Sequence, residues 1–388
     1  MARLMVHPLK NQRKIAFKYK DFAGEWQRFY VLLSKKKYQK ALFLFDGLRI
    51  YCEIKIMRWS FVMFSWQSKY KRLNRWTVPL FLSINLFSTA VEAGLFQDQI
   101  VKRIEQSLKY RQLNIQHQAL IVDHIRRFYQ IYNPAPDHKN LPVVIALHGG
   151  GGNATQMIKR FQDQAQQHKF LLVAPQGVGP SDQKGVWNSE GCCGEAMQQQ
   201  VNDIEFIKQL IAELQQHYSI DKTRIYVTGF SNGGMLTYQL ANRLSPQLAA
   251  VAVVSGAMFE GQPRGLKVIP IPMMIIHGER DPVVSVQGGI SSIRFVARAQ
   301  HAPFQPLSYT LNYWKNTNQC KSMLEQQINA YLSIESGQHC KAPLLVYHLL
   351  EGKHVWPTSS NRYERIDASE QIWNFFKGFS RPDSYSTH

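Results

Sequence analysis

Cysteine is scarce in this chain, with five among 388 residues. None of the five lies in a CxxC or His/Cys cluster with zinc-site spacing, so no metal is expected. There is no Gly-Lys-Ser/Thr P-loop and no GxGxxG, which excludes the usual nucleotide folds and leaves no cofactor expected. No low-complexity segment or internal repeat follows residue 93, and no starch-, chitin- or polyester-binding module is present. Apolar residues make up 45%, which rules out a disordered tail.

Acidic residues are few, 27 Asp plus Glu against 46 Lys plus Arg, a net of +19. Such an excess points to nucleic acid, a membrane surface or an acidic partner only if it is spread over the fold. It is not. Residues 1–93 hold 18 basic and 5 acidic residues, a net of +13, and residues 94–388 hold 28 and 22, a net of +6. The remainder is too small to argue for nucleic acid.

The concentration has a local cause. Lys69, Lys71, Arg72 and Arg75 precede an uncharged, mostly apolar run from Trp76 to Ala90, which ends in Val91-Glu92-Ala93. A basic stretch, an apolar run and a small-x-small site make a secretory signal. Residues 63–93 are read as that signal, with cuts expected after Ala90 or Ala93. The run is shorter than the ~20 apolar residues of a spanning helix, so no stable span is expected after cleavage. Residues 1–62 show no clear helical or strand period and are read as an upstream extension. The rival reading is a basic tail that binds nucleic acid. The expected location is secreted or periplasmic.

Cys52 lies before the cut, so the mature chain keeps four cysteines, and four allow three pairings. Cys320 and Cys340 flank 19 residues of polar character, and a bridge there would tie down a loop in an oxidising compartment. Cys192 and Cys193 are adjacent and their state is open.

Ile100, Ile104 and Leu108 lie four apart, so residues 94–118 are read as a helical leader. From 119 to 381, apolar strands such as Val143–Leu147, Arg224–Thr228 and Pro272–Ile276 alternate with helical spacings such as Val201–Tyr218. That alternation means an α/β domain around a mostly parallel sheet.

Gly229-Phe230-Ser231-Asn232-Gly233 fits G-x-S-x-G between a strand and a helix, the setting in which a serine becomes a nucleophile. The orienting acid and the base follow in order. Asp281 sits after the strand Pro272–Gly278, with Glu279 its competitor, and His354 sits after the strand Leu344–Leu350. His348 lies within that strand and reads as packed or solvent-facing, while His148 and His277 read as holding loops in shape. Asp203 reads as a helix cap. The glycines of His148-Gly-Gly-Gly-Gly-Asn153 suit an oxyanion site, with donors expected from Gly150 and Asn232. Trp187 and Trp356 are read as an aromatic wall for substrate, against burial for packing.

HGGGGNA (148–154), APQG (174–177), Trp187…Cys192-Cys193, GFSNGGM (229–235), HGERDPVV (277–284) and GKHVWP (352–357) occur in that order. Together they resemble secreted esterases grouped with polyhydroxybutyrate depolymerases and feruloyl or acetylxylan esterases. The resemblance implies an α/β-hydrolase fold and a triad of Ser231, Asp281 and His354. It implies an ester partner: a small ester, an oligomer or an acid linked to plant polysaccharide. Two other classes stay in view. One is a serine peptidase of the prolyl-oligopeptidase kind, and the other a binding protein on a hydrolase scaffold.

Overall fold

The computed structural model describes residues 113–381 except 182, 263–267 and 361–365, together with the backbone of five strands between residues 4 and 54. The chain divides into Met1–Gln99 and Ile100–His388. The first unit holds β1 (Leu4–Leu9), β2 (Gln12–Lys20), β3 (Trp26–Ser34), β4 (Gln39–Phe45) and β5 (Leu48–Ile54), paired in that order. Every pair is antiparallel. This corrects the reading of 1–62 as lacking a strand period. In β2, Ile15, Phe17 and Tyr19 alternate with Lys14, Lys18 and Lys20, the two-residue period of a strand. The expected signal segment 63–93 and residues 94–112 of the expected helical leader lie outside the described residues. The leader's end is corrected, because a strand already begins at Ile115.

The second unit opens with the hairpin β6 (Ile115–Val122) and β7 (Ile125–Tyr132). Next come β8 (Leu141–Leu147), β9 (Leu171–Pro175), and a separate short pair, β10 (Val178–Ser181) and β11 (Lys184–Val186). Then follow β12 (Ile220–Phe230), β13 (Ala250–Val254), β14 (Met273–Gly278), β15 (Ser322–Asn329), β16 (Leu332–Gln338) and β17 (Leu344–Leu349). Apart from the short pair they make one sheet in the order β15-β16-β17-β14-β13-β12-β8-β9-β7-β6. The inner strands from β17 to β9 run parallel, and antiparallel strands flank them at both edges.

Burial explains the inner strands. Every residue of β8, β9, β13 and β14 is buried, and such strands read as unbroken apolar runs because both sheet faces are covered. Val143, Ile145 and Leu147 belong to one core, and Val144 and Ala146 to the core on the opposite face. The covering helices are α1 (Ala154–His168), α2 (Gly194–Gln198), α3 (Asp203–His217), α4 (Asn232–Leu244), α5 (Arg294–Ala299), α6 (Leu307–Thr317) and α7 (Ala368–Phe376). In α4 every residue except Arg243 is buried, so the helix that follows Ser231 is anchored on all sides. The result is an α/β-hydrolase fold.

Cys320 and Cys340 form a disulfide, and the segment between them is the β15–β16 hairpin rather than the expected loop. Cys192 and Cys193 are bonded to each other.

Candidate active site

The G-x-S-x-G turn is dictated by space. A Cβ on Gly229 would stand 2.2 Å from the Gly233 carbonyl oxygen, and one on Gly233 would stand 2.5 Å from that of His148. Between them Ser231 adopts φ 53°, ψ −120°, a region L side chains rarely enter and one that marks functional turns. Its N–H donates to the Val254 carbonyl (2.9 Å), which pins the turn to β13. Ser231 stands at the N-terminus of α4, yet its hydroxyl caps no helix N–H. Its Oγ lies 2.8 Å from His354 Nε2 instead.

His354 occupies the loop after β17, and Asp281 the loop after β14. His354 Nδ1 lies 2.7 Å from Asp281 Oδ2. Asp281 Oδ1 accepts from the Val283 and Val284 N–H groups, each at 2.8 Å. A carboxylate can only accept, so Nδ1 carries the proton and the Nε2 lone pair faces the serine hydroxyl. The Asp281 side chain is fully buried, and that of His354 is 14% exposed. The imidazole packs on Phe230, with ring centroids 5.1 Å apart.

The neighbouring ionisable groups are committed elsewhere. Glu279 Oε1 lies 2.8 Å from His348 Nδ1, and His348 Nε2 lies 3.3 Å from Glu335 Oε2. Burial lowers the His348 pKa, but hydrogen bonds and charge from the two glutamates outweigh it and raise the value to about 9. Hydrogen bonding to His348 in turn holds the Glu279 carboxyl below its usual range. His348 is therefore an ion-paired histidine. His277 is fully buried, which pushes its pKa down, and its Nε2 donates to the Val284 carbonyl (2.8 Å), bracing the Asp281 loop.

The glycine loop sits against this turn. A Cβ on Gly149 would lie 3.3 Å from Ser231 Cβ, and one on Gly150 3.6 Å from Asn232 Cβ. Burial pushes the His148 pKa down to about 4, so the ring is neutral. Its Nε2 accepts from the Gly177 N–H (3.0 Å) and its Nδ1 donates to the Gly149 carbonyl (2.8 Å). Gly151 and Gly152 donate to the carbonyls of Gly185 (2.8 Å) and Gly149 (2.9 Å). Among the described residues the Gly150 N–H has no protein acceptor. The Asn232 N–H opens α4, where a helix leaves its first amides without intrahelical partners. Both candidate donors thus stand beside Ser231.

Three expectations are corrected. Trp187 is fully buried and offers no face to a substrate. Its indole N–H donates to the His148 carbonyl (2.8 Å), its backbone N–H to Asn232 Oδ1 (2.7 Å), and its carbonyl accepts from Asn232 Nδ2 (3.0 Å). Trp356 is buried against Phe161 and Phe230, with Arg160 over its ring, so it packs the loop that carries His354. Asp203 is not the cap of α3, because the Asn202 side chain accepts from the Glu205 N–H (3.1 Å). Asp203 forms a buried ion pair with Arg127, and its other oxygen accepts from the Asn188 N–H (2.7 Å). Sequence reading gave no role to Arg127, a cation buried in β7.

Residues 130–308 match the family model described as phospholipase/carboxylesterase. A bifunctional acetylxylan esterase/xylanase of Neocallimastix patriciarum is 26% identical over 253 residues, covering 64% of this chain and 33% of that protein. A probable feruloyl esterase C of Aspergillus niger is 28% identical over 242 residues, covering 59% of this chain and 82% of that one. The chain thus spans a third of the first relative and most of the second. The structure of an acetyl xylan esterase from Aspergillus awamori shares the fold, with a TM-score of 0.50 at 15% identity over 68% of this chain and 99% of that one. The chain has the α/β-hydrolase fold, and its segment 130–308 is similar to phospholipases and carboxylesterases. No helix among the described residues is long and apolar enough to cross a membrane.

Proposed function

We propose that this chain is an exported serine esterase of the feruloyl or acetylxylan type. The observation that carries the proposal is the relay from Ser231 Oγ to His354 Nε2 (2.8 Å) and from His354 Nδ1 to Asp281 Oδ2 (2.7 Å), built on a strained turn. His354 takes the Ser231 proton as Oγ attacks the ester carbonyl. The oxyanion is received by the Gly150 and Asn232 N–H groups, in a site where each such donor is worth roughly 10²–10³ in kcat. As the C–O bond breaks, His354 returns the proton to the departing alcohol and an acyl-Ser231 ester remains. Water then attacks, giving its proton to His354, and the acid leaves as Ser231 is restored. Asp281 keeps the imidazole in its tautomer and stabilises the imidazolium.

Relatives that carry feruloyl and acetylxylan esterase names support this substrate class. Ser231→Ala should lower turnover of methyl ferulate, acetylated xylan oligomers and p-nitrophenyl acetate on the order of 10⁶-fold while the protein keeps its melting temperature. Turnover within tenfold of the native rate would contradict the assignment. Export is part of the proposal and rests on residues 63–93. The natural product should begin at Val91 or Gly94 on N-terminal sequencing, and an exported product retaining residues before Met57 would contradict it.

A further inference from the structure

The loop that carries His354 has little backbone support. Among the described residues the backbone of His354, Val355 and Trp356 bonds only within that loop, Val355 N–H to the Lys353 carbonyl (2.9 Å). Its place is therefore set by side chains. Asp281 orients His354, and Trp356 Nε1 donates to Ser369 Oγ (3.3 Å), but neither contact ties the loop to the nucleophile turn. Arg160 of α1 contacts both. Its guanidinium carbon lies 4.9 Å from the Phe230 ring centroid and 4.8 Å from that of Trp356. Phe230 directly precedes Ser231, and Trp356 stands two residues past His354. We propose that Arg160 is a positioning residue for the base, drawing both rings onto one guanidinium and so fixing His354 against Ser231. The role rests on the esterase reading above.

The two rings meet edge to face, with centroids 6.1 Å apart and planes at 76°. Phe230 also packs on the His354 imidazole at 5.1 Å. A Cβ on Gly149 would stand 2.8 Å from Phe230 Cδ1, so the glycine loop presses on the same ring. One ring thus touches the base, the glycine loop and the cation. Among the described residues no carboxylate pairs with Arg160, and its hydrogen bond runs to the Met157 sulfur (3.3 Å). Burial pulls its pKa down to about 10, which leaves it charged at neutral pH. Taking a cation out of water is costly unless something replaces the water. Here the negative faces of two rings do so, and that attraction grows as a site is desolvated. An apolar side chain would fill the same space without the cost. What the guanidinium adds is a pull on two rings at once, and its flat, delocalised charge stacks on ring faces as an ammonium does not.

The consequence is for the rate. His354 must hold Nε2 2.8 Å from Ser231 Oγ before the proton moves. A misplacement of about 1 Å can cost on the order of 10²-fold. Charge alone would act the opposite way, since a nearby cation opposes the imidazolium that forms on His354. A fall in kcat when Arg160 is neutralised therefore reports position rather than charge.

The test measures p-nitrophenyl acetate turnover and the rate of fluorophosphonate labelling in the full chain, for the native protein, Arg160→Met and Arg160→Lys. Arg160→Met should lower kcat about tenfold, slow labelling by the same factor and leave KM within about twofold. Arg160→Lys restores a cation and should recover most of the loss, to within about threefold of native. Arg160→Gln, neutral and smaller, gives the same reading if Arg160→Met does not fold. A neutral variant with native kcat and labelling rate overturns the assignment, even if its melting temperature falls. So does a loss confined to KM, or a lysine variant as slow as the neutral one. A native chain that labels but turns over no ester would instead overturn the esterase reading, and the labelling rates of the variants would still decide the role of Arg160.

Discussion

Asn232 serves the site twice. Its backbone N–H opens α4 beside Ser231, and its carboxamide grips both the N–H and the carbonyl of Trp187. Trp187 then holds the His148 carbonyl, so the two loops that would cradle an oxyanion are locked together by one buried unit. The far end of that unit is the Arg127–Asp203 ion pair. Asp203→Asn leaves the guanidinium buried without an anion, a change that costs about 3–5 kcal/mol for buried pairs. Urea denaturation should show a loss of that size together with reduced kcat, and unchanged stability would contradict the role given to the pair. The G-x-S-x-G turn was legible in the sequence because its demands are local: Gly229 and Gly233 flank Ser231 for want of space. The ion pair was not, because its partners lie 76 residues apart and nothing near either residue names the other. Trp187 and Trp356 were misplaced for a related reason. Proximity to the motifs in sequence does not tell which way a ring points, and both rings point into the core.

At the scale of elements, β8, β13 and β14 were readable as uninterrupted apolar runs because they are buried on both faces. The β15–β16 hairpin was not. β15 reads Ser-Met-Leu-Glu-Gln-Gln-Ile-Asn, and all but Met323 is exposed, so no alternation of apolar and polar residues announces it. This edge still matters to the site. His348 in β17 bridges Glu335 in β16 and Glu279, two residues before Asp281. Its folded pKa of about 9 lies above the ordinary histidine value near 6.5. The stabilisation is therefore complete below about pH 6.5 and is lost as the pH rises through about 9. The melting temperature should fall across that interval, and His348→Gln should flatten the fall. A wild-type curve level between pH 6.5 and 9.5 would contradict the ion-pair account.

For the whole molecule, the charge that marks the first quarter of the sequence is largely absent from the part that bears the site. Residues 94–388 carry a net of +6, from 28 basic and 22 acidic residues, while 1–93 carry +13. The hydrolase unit was legible as an α/β domain, and the meander of β1–β5 was not, although β2 alternates apolar residues with lysine. That alternation was masked by the lysine clusters around it. The central claim concerns one atom, Ser231 Oγ, and a fluorophosphonate ester tests it most directly, because only an activated serine displaces the fluoride. Mass spectrometry of the labelled, digested protein should place a single adduct on Ser231, with the adduct lost in Ser231→Ala and formed far more slowly in His354→Ala. An adduct on another serine, or labelling of Ser231 at an undiminished rate without His354, would contradict the account.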